Sequence, residues 1–261
     1  MEFTFGIITA GGQDTYIQKI VESIRAESIP KYEIIIVGDT VVRGDDITNI
    51  PFDESVKAGW ITRKKNMITS RAKYENVVLL HDYVALQRGW YEGFLKFGND
   101  YDICVNRITD TFGRRFRDMP FFDSFHNLNL GFGNLLPYTY KLPDRLNKLL
   151  YISGSYYVIK KHIAEKYPLD ESLCHNMGED VILCQTLASN NILMKMNPHS
   201  TVKLLKDKFS SNVEIDADNL ERLLQLDEDE IDLIFQKDCF YQQKFIMATK
   251  QPLNYTNADL Q

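Results

Sequence analysis

The chain has 261 residues, 44% of them hydrophobic and 12% aromatic, with a formal net charge of -6. This is enough apolar residue to bury a large core as one domain or one domain with an appendage, and the acidic balance argues against a nucleic-acid backbone as main partner, which requires a basic face. No apolar run approaches the roughly 20 residues of a membrane-spanning helix, and the cysteines Cys104, Cys174, Cys184 and Cys239 show no CxxC spacing, so buried thiols in a reducing compartment are the simplest reading.

Phe3 to Thr9 is rich in β-branched and aromatic residues and reads as a first strand, closed by the flexible turn Ala10-Gly11-Gly12. No leader-like segment precedes it, so a cytoplasmic protein is expected, without a transmembrane segment and with contact at a membrane surface left open. Tyr16, Ile17, Ile20, Val21 and Ile24 recur at helical spacing, and Pro30 marks the exit toward a second strand, Glu33 to Val37. Such a β-α-β unit predicts a parallel, buried sheet.

Gly38-Asp39-Thr40 stops the second strand, and a polar loop through Asp45 and Asp46 leads toward Trp60. Thr62 to Ala72 predicts a helix carrying Arg63, Lys64, Lys65 and Asn66 near its start, and Asn76 to Leu80 a third strand ending in His81-Asp82-Tyr83. In open α/β sheets the ligand crevice lies beyond the carboxyl ends of the strands, where Thr9, Gly11, Asp39 and Asp82 fall.

Gly89-Trp90-Tyr91 opens another helix, and Asp102 to Val105 is a short strand. From Arg107 to Leu150 the pattern loosens into an aromatic, Gly-, Asn- and Pro-containing segment, and irregularity of that length inside a compact domain is usually functional. Regular structure returns with a Gly-containing strand around Leu149 to Gly154, a helix from His162 to Tyr167, a helix beginning at Glu179 and a strand from Ile192 to Met196. Beyond Leu205 the sequence turns acidic and helical, with Asp218 as the cap of a stripe of Leu220, Leu223, Leu224 and Leu226 and a second helix from Glu230 to Ala248. The expected organisation is an α/β domain over 1–205 and a helical appendage over 206–261. The acidic Asp227 to Asp232 cluster favours packing of that appendage on the domain over docking on anionic lipid.

Three groups of residues carry candidate chemistry. Thr9 and Gly11, Asp39, Arg63 and Asn66 suit a nucleotide crevice: a Gly turn allows close approach, a carboxylate accepts from a base or ribose, and Arg63 can neutralise a diphosphate. Asp82 could anchor Mg or Mn, with His199 as a second ligand, although an Asp closing a strand and a lone His are often structural. Glu179 and Asp180 open a helix, where acids ordinarily just complement the dipole, yet such a carboxylate can also serve as a general base.

In sequence order, Phe5 to Thr9, Glu33 to Asp39, the Arg63 to Ala72 helix, Val77 to Tyr83, Gly89-Trp90, Ile152-Ser153-Gly154, Leu169-Asp170-Glu171 and Gly178-Glu179-Asp180 resemble the family-2-like nucleotide-sugar glycosyltransferases of the GT-A fold, over roughly Phe3 to Leu205. The resemblance implies a Rossmann-like, mostly parallel sheet flanked by helices. It also implies an inverting transfer from a nucleotide-diphosphate sugar to a glycan hydroxyl, of hexosyl or deoxyhexosyl type. Asp180 would be the base, Glu179 would position the acceptor, Thr9, Gly11 and Asp39 would hold the nucleotide, and Asp82 would stand in the place of the metal-binding DxD motif with His199 as its histidine. The 107–150 segment would be the variable acceptor side. His81-Asp82-Tyr83-Val84 lacks the second Asp of DxD, which weakens the metal expectation. A non-catalytic nucleotide-sugar or glycan binder is the alternative. A nucleotidyltransferase is disfavoured because Ala10-Gly11-Gly12-Gln13-Asp14 lacks the basic residue such enzymes carry after the first strand.

Overall fold

The computed structural model describes residues 1–121, 135–138, 143–208 and 214–249. β1 (Glu2–Ile8), α1 (Asp14–Arg25) and β2 (Lys31–Val37) form the expected parallel unit, β3 (Ile47–Ile50) adds a parallel edge strand, and α2 (Ile61–Arg71) leads into β4 (Asn76–His81), which pairs with the other side of β1. Next come β5 (Val84–Leu86), α3 (Trp90–Phe97), β6 (Ile103–Thr109) and the short β7 (Arg115–Phe116). A 3-10 helix at Asp144–Leu149 precedes β8 (Tyr156–Lys160), α4 (Lys161–Lys166), α5 (Glu179–Ser189), β9 (Met194–Leu204), α6 (Ala217–Gln225) and α7 (Glu228–Thr249).

The sheet order is β3-β2-β1-β4-β8-β6-β9-β5, with β7 paired to β6. β1 to β4, β6 and β9 run one way and β5, β7 and β8 the other, so the sheet is mostly parallel, as expected for the α/β class. Strands covered on both faces need continuous apolar runs, and Phe3, Phe5, Ile7, Ile34, Ile36, Val77 and Leu80 are all buried. α1 buries Ile17, Ile20, Val21 and Ile24 on the sheet. α2 lies closer still: a Cβ at Gly6 of β1 would sit 2.3 Å from Ile68 Cγ2.

Three local expectations are corrected. The strand read around Leu149 to Gly154 starts later, at Tyr156, because Ser153 and Ser155 bond to one another (Oγ to Oγ 2.8 Å) and form a turn in place of ladder pairs. The cap of the first C-terminal helix is Asp216, whose Oδ1 accepts from Asn219 N at 2.8 Å, and not Asp218. The strand placed at Ile192 to Met196 begins at Met194 and runs on to Leu204.

Residues beyond Leu205 share the main core. Leu223, Ile231 and Ile234 belong to the same apolar cluster as the sheet, each worth roughly 1.5–3 kcal/mol when buried. Arg145 donates to the carbonyls of Leu224 at 2.9 Å and Leu226 at 3.2 Å. Within the expected acceptor segment, 122–134 and 139–142 lie outside the described residues. The described part centres on buried Asp118, which accepts from Arg115, from Met119 N and from Tyr138 Oη. No helix among the described residues is long and apolar enough to cross a membrane.

Candidate functional site

Because β8 runs against β4, its start meets the end of β4: His81 N donates to Ser155 O at 3.0 Å. The carboxyl ends of β1, β4 and β9 and the amino end of β8 therefore open on one edge of the sheet, where two cavities of about 220 and 530 Å³ adjoin. Thr9, Asp82 and Lys206 line the smaller, and Arg117, Glu179 and Asp180 the larger. His81, Tyr83, His175 and Lys208 line both and form the wall between them.

The carboxylate pair opens α5. Gly178 takes the left-handed conformation (φ 74°) that turns the chain into the helix, and a Cβ there would meet Gln242 Nε2 of α7 at 2.2 Å. Gln242 is buried and lines the larger cavity, so the C-terminal helix contributes to the site. Asp180 Oδ2 accepts from Gly154 N at 2.8 Å and Oδ1 from Val181 N at 3.0 Å. These two bonds fix the carboxylate and leave a lone pair on each oxygen. Glu179 is buried, and burial followed by the charge of Asp180 pushes its carboxyl up to about 7. Lys65 counters this from beneath: its Nζ donates to Gly154 O at 2.7 Å and lies 3.9 Å from Glu179 Oε1.

On the other side, Lys64 Nζ donates to Thr9 O at 2.6 Å and pairs with Glu54. Asp82 is raised above the usual carboxylate range by burial, opposed by a hydrogen bond from Thr9. Lys208 Nζ donates to Tyr83 Oη at 2.5 Å, and burial together with Lys206 holds its ammonium down to about 8. His81 Nδ1 lies 3.3 Å from Tyr83 Oη, and its buried Nε2 has no protein partner among the described residues. Burial and the neighbouring lysines keep His81 and His175 neutral, His175 down to about 4.

The structure thus brings Glu179, Asp180, Thr9 and Asp82 to one edge. Gly11 and Asp39 sit side by side just beyond Thr9, whose Oγ1 accepts from Gly11 N at 3.0 Å. Arg63 and Asn66 line neither cavity: Arg63 pairs with Glu171 at 3.0 Å, and Asn66 bonds Leu169 O at 2.9 Å and Leu169 N at 3.0 Å. They pin the loop that carries His175, whose N–H also bonds Gly59 O at 2.9 Å. His199 is exposed, lies in an irregular stretch of β9 with its backbone against Gly93, and lines neither cavity, so the expected pairing with Asp82 does not form. No local sequence signal marks Lys206, Lys208, His175 or Gln242 as site residues. Lys64 and Lys65 do carry one: with Ile61 and Ile68 they complete an i, i+3, i+4, i+7 stripe, which marks a buried face.

A divalent cation implied by the resemblance fits these residues poorly. Hard cations take several oxygens, whereas the smaller cavity offers the carboxylate of Asp82 among Lys64, Lys206 and Lys208, the other acid, Asp207, being bonded by Thr111. No cluster of three His, Cys, Asp or Glu suited to a metal occurs among the described residues.

No family model matches the sequence, and no curated protein matches it. Among solved structures, the chain is similar to S. aureus TarS 1-349 in complex with UDP, at TM-score 0.53 and 14% identity over 100% of this chain and 77% of that one. The same fragment with UDP-GlcNAc gives TM-score 0.54 and 13% identity, over 100% and 78%. GalNAc-T7 with UDP, GalNAc and Mn2+ gives TM-score 0.57 and 12% identity, over 94% of this chain and 51% of that one. The fold is therefore the GT-A type that the sequence resemblance implied.

Proposed function

We propose that the chain is an inverting glycosyltransferase that moves a hexosyl or deoxyhexosyl group from a nucleotide-diphosphate sugar to a hydroxyl of a glycan acceptor. The observation that carries this reading is the pair of adjoining cavities, with the Glu179–Asp180 carboxylates in one and Thr9 with the lysines in the other. An in-line displacement needs a base and an anion site on opposite sides of the reacting carbon, and this edge of the sheet offers both. Thr9, Gly11 and Asp39 receive the nucleotide. In the larger cavity Asp180 takes the proton of the acceptor hydroxyl as its oxygen bonds to the anomeric carbon. On the opposite face the bond from that carbon to the diphosphate oxygen breaks, and the diphosphate leaves with the electron pair. Glu179 meets a second sugar hydroxyl, and Arg117, Phe116 and Gln242 shape the acceptor side. The UDP and UDP-GlcNAc bound by the TarS structures support a nucleotide-sugar donor here. Four free thiols support a reducing, cytoplasmic setting.

The test is a panel of nucleotide sugars, with and without candidate glycans, read as nucleoside diphosphate release. Asp180→Asn should lower turnover by ~10²–10⁴ while leaving donor binding intact. A folded Asp180→Asn with wild-type turnover would refute the assignment of the base, and tight nucleotide binding without turnover of any donor would identify a binding subunit instead.

A further inference from the structure

We propose that Lys206 and Lys208, on the segment that follows β9, form a diphosphate clamp that takes the place of a divalent cation in this site. The inference rests on the donor reading above and concerns how its leaving group is held.

Lys206 and Lys208 lie two residues apart beyond the end of β9, whose pairing with β5 is prolonged by Leu205 N donating to Tyr83 O at 2.8 Å. That bond fixes where the two lysines leave the sheet. Their ammonium groups sit over the same ring, 4.8 and 4.1 Å from the centre of Tyr83, and Lys208 also donates to its hydroxyl. Both lysines line the smaller cavity beside Thr9 and Asp82, and Lys208 reaches the larger cavity as well. That is the boundary at which the bond between sugar and diphosphate would lie.

Carboxylates reach these lysines only from a distance: Asp82 and Glu179 favour the charged form of Lys208, which burial disfavours more strongly. Lys64 is paired with Glu54, and Lys65 lies near Glu179. Among the described residues no carboxylate comes within ion-pair distance of Lys206 or Lys208. Two ammonium groups over one aromatic ring repel each other, which an added anion would relieve, and burial together with Lys206 already depresses the Lys208 ammonium. The same groups repel a divalent cation from Asp82, whose carboxyl burial raises while Thr9 and the lysines pull it back down. Asp82 then serves as a hydrogen-bonding group for the donor. When the diphosphate departs with the electron pair, the added negative charge falls on oxygens facing the two lysines, where it is worth most in a partly buried setting.

The test is calorimetric titration of UDP, GDP, dTDP and ADP into the full chain, once with EDTA and once with Mn2+. The expected result is that the best of these nucleotides binds with the same affinity in both within about twofold, and more weakly as salt rises. Lys206→Ala/Lys208→Ala should weaken it at least ~10-fold, the loss of charge-assisted hydrogen bonds. Lys206→Arg/Lys208→Arg should restore much of that loss, and Lys31→Ala, a surface lysine paired with Glu2, should bind like the wild type. Circular dichroism of each variant separates loss of binding from loss of fold. Binding that requires Mn2+, disappears with EDTA and is unchanged in the double alanine variant overturns the clamp while leaving the donor site standing. Binding of none of the nucleotides in either condition overturns both.

Discussion

Replacing Gly154 with alanine disturbs the carboxylate pair without altering either acid. The new Cβ would lie 2.8 Å from Glu179 Oε1, 2.9 Å from Asp180 Oδ2 and 3.1 Å from Asp180 Cβ, where ordinary contact begins near 3.4 Å. Both carboxylates must therefore retreat by about half an ångström, and neither has slack: one is tied to Gly154 N and Val181 N, the other is packed over Lys65. Overpacking of this kind costs about 1–3 kcal/mol, against about 0.4–1 kcal/mol gained by stiffening the unfolded chain, so a modest net loss of stability is expected. The rate should suffer more. A misplacement of ~1 Å at a catalytic centre costs ~10²-fold, which puts this variant at roughly 10-fold to 10²-fold below wild type. The assay is nucleoside diphosphate release from the best donor of the panel, with thermal melting alongside. In the Asp180→Asn background the alanine should cost little further rate, because the group it displaces no longer acts. Wild-type turnover in Gly154→Ala, or fully additive losses in the double variant, would refute the claim that Gly154 sets the position of the proposed base.

Glu179 has its folded pKa raised from 4.5 to about 7 by burial and by Asp180, so the folded chain binds the proton more tightly than the unfolded one. That contribution is full below about pH 4.5 and is lost as pH rises through about 7. Urea midpoints at about pH 5 and pH 8 should show Glu179→Gln gaining about 2–3 kcal/mol relative to wild type across that window, and a constant difference between the two proteins would contradict the burial. Ile231→Ala, on α7, should cost about 2–4 kcal/mol in urea denaturation, as a core residue does. A near-zero change would mean the C-terminal helices stand apart from the main core.

The parts of the fold legible in the sequence are those whose signal is local. β1, β2 and β4 are unbroken apolar runs closed by polar or Gly turns, and α1 is an apolar stripe of one period. β3 and β5 carry no local signal because each is short and owes its conformation to a neighbouring strand, β2 in one case and β9 in the other. The carboxylate pair was legible because Gly178 announces the start of its helix. The lysines were not: a lysine ordinarily signals solvent, and nothing local in Lys206-Asp207-Lys208 says that Tyr83, far back in the chain, will lie beneath both ammonium groups. The Arg63 ion pair was illegible for a similar reason, since its partner Glu171 is brought near only by the tertiary fold.

The order of strands in the sheet also bears on how the chain is made. β1 to β4 are contiguous in sequence and mutually parallel, so this half can pair while the remainder is still being synthesised. The free edge of β4 then waits for β8, with Asn76 facing Lys160, and β5 waits longer for β9, with Val84 facing Leu204. Thr9 and Asp82 therefore belong to the early half, whereas the carboxylate pair and the two lysines over Tyr83 arrive with the late one. Such long-range pairings close slowly, and the interval leaves an apolar strand edge open to capture by another chain. Expression at lower temperature or with a chaperone that shields strand edges should accordingly raise the soluble yield of this protein more than it raises that of a chain whose neighbouring strands emerge in succession.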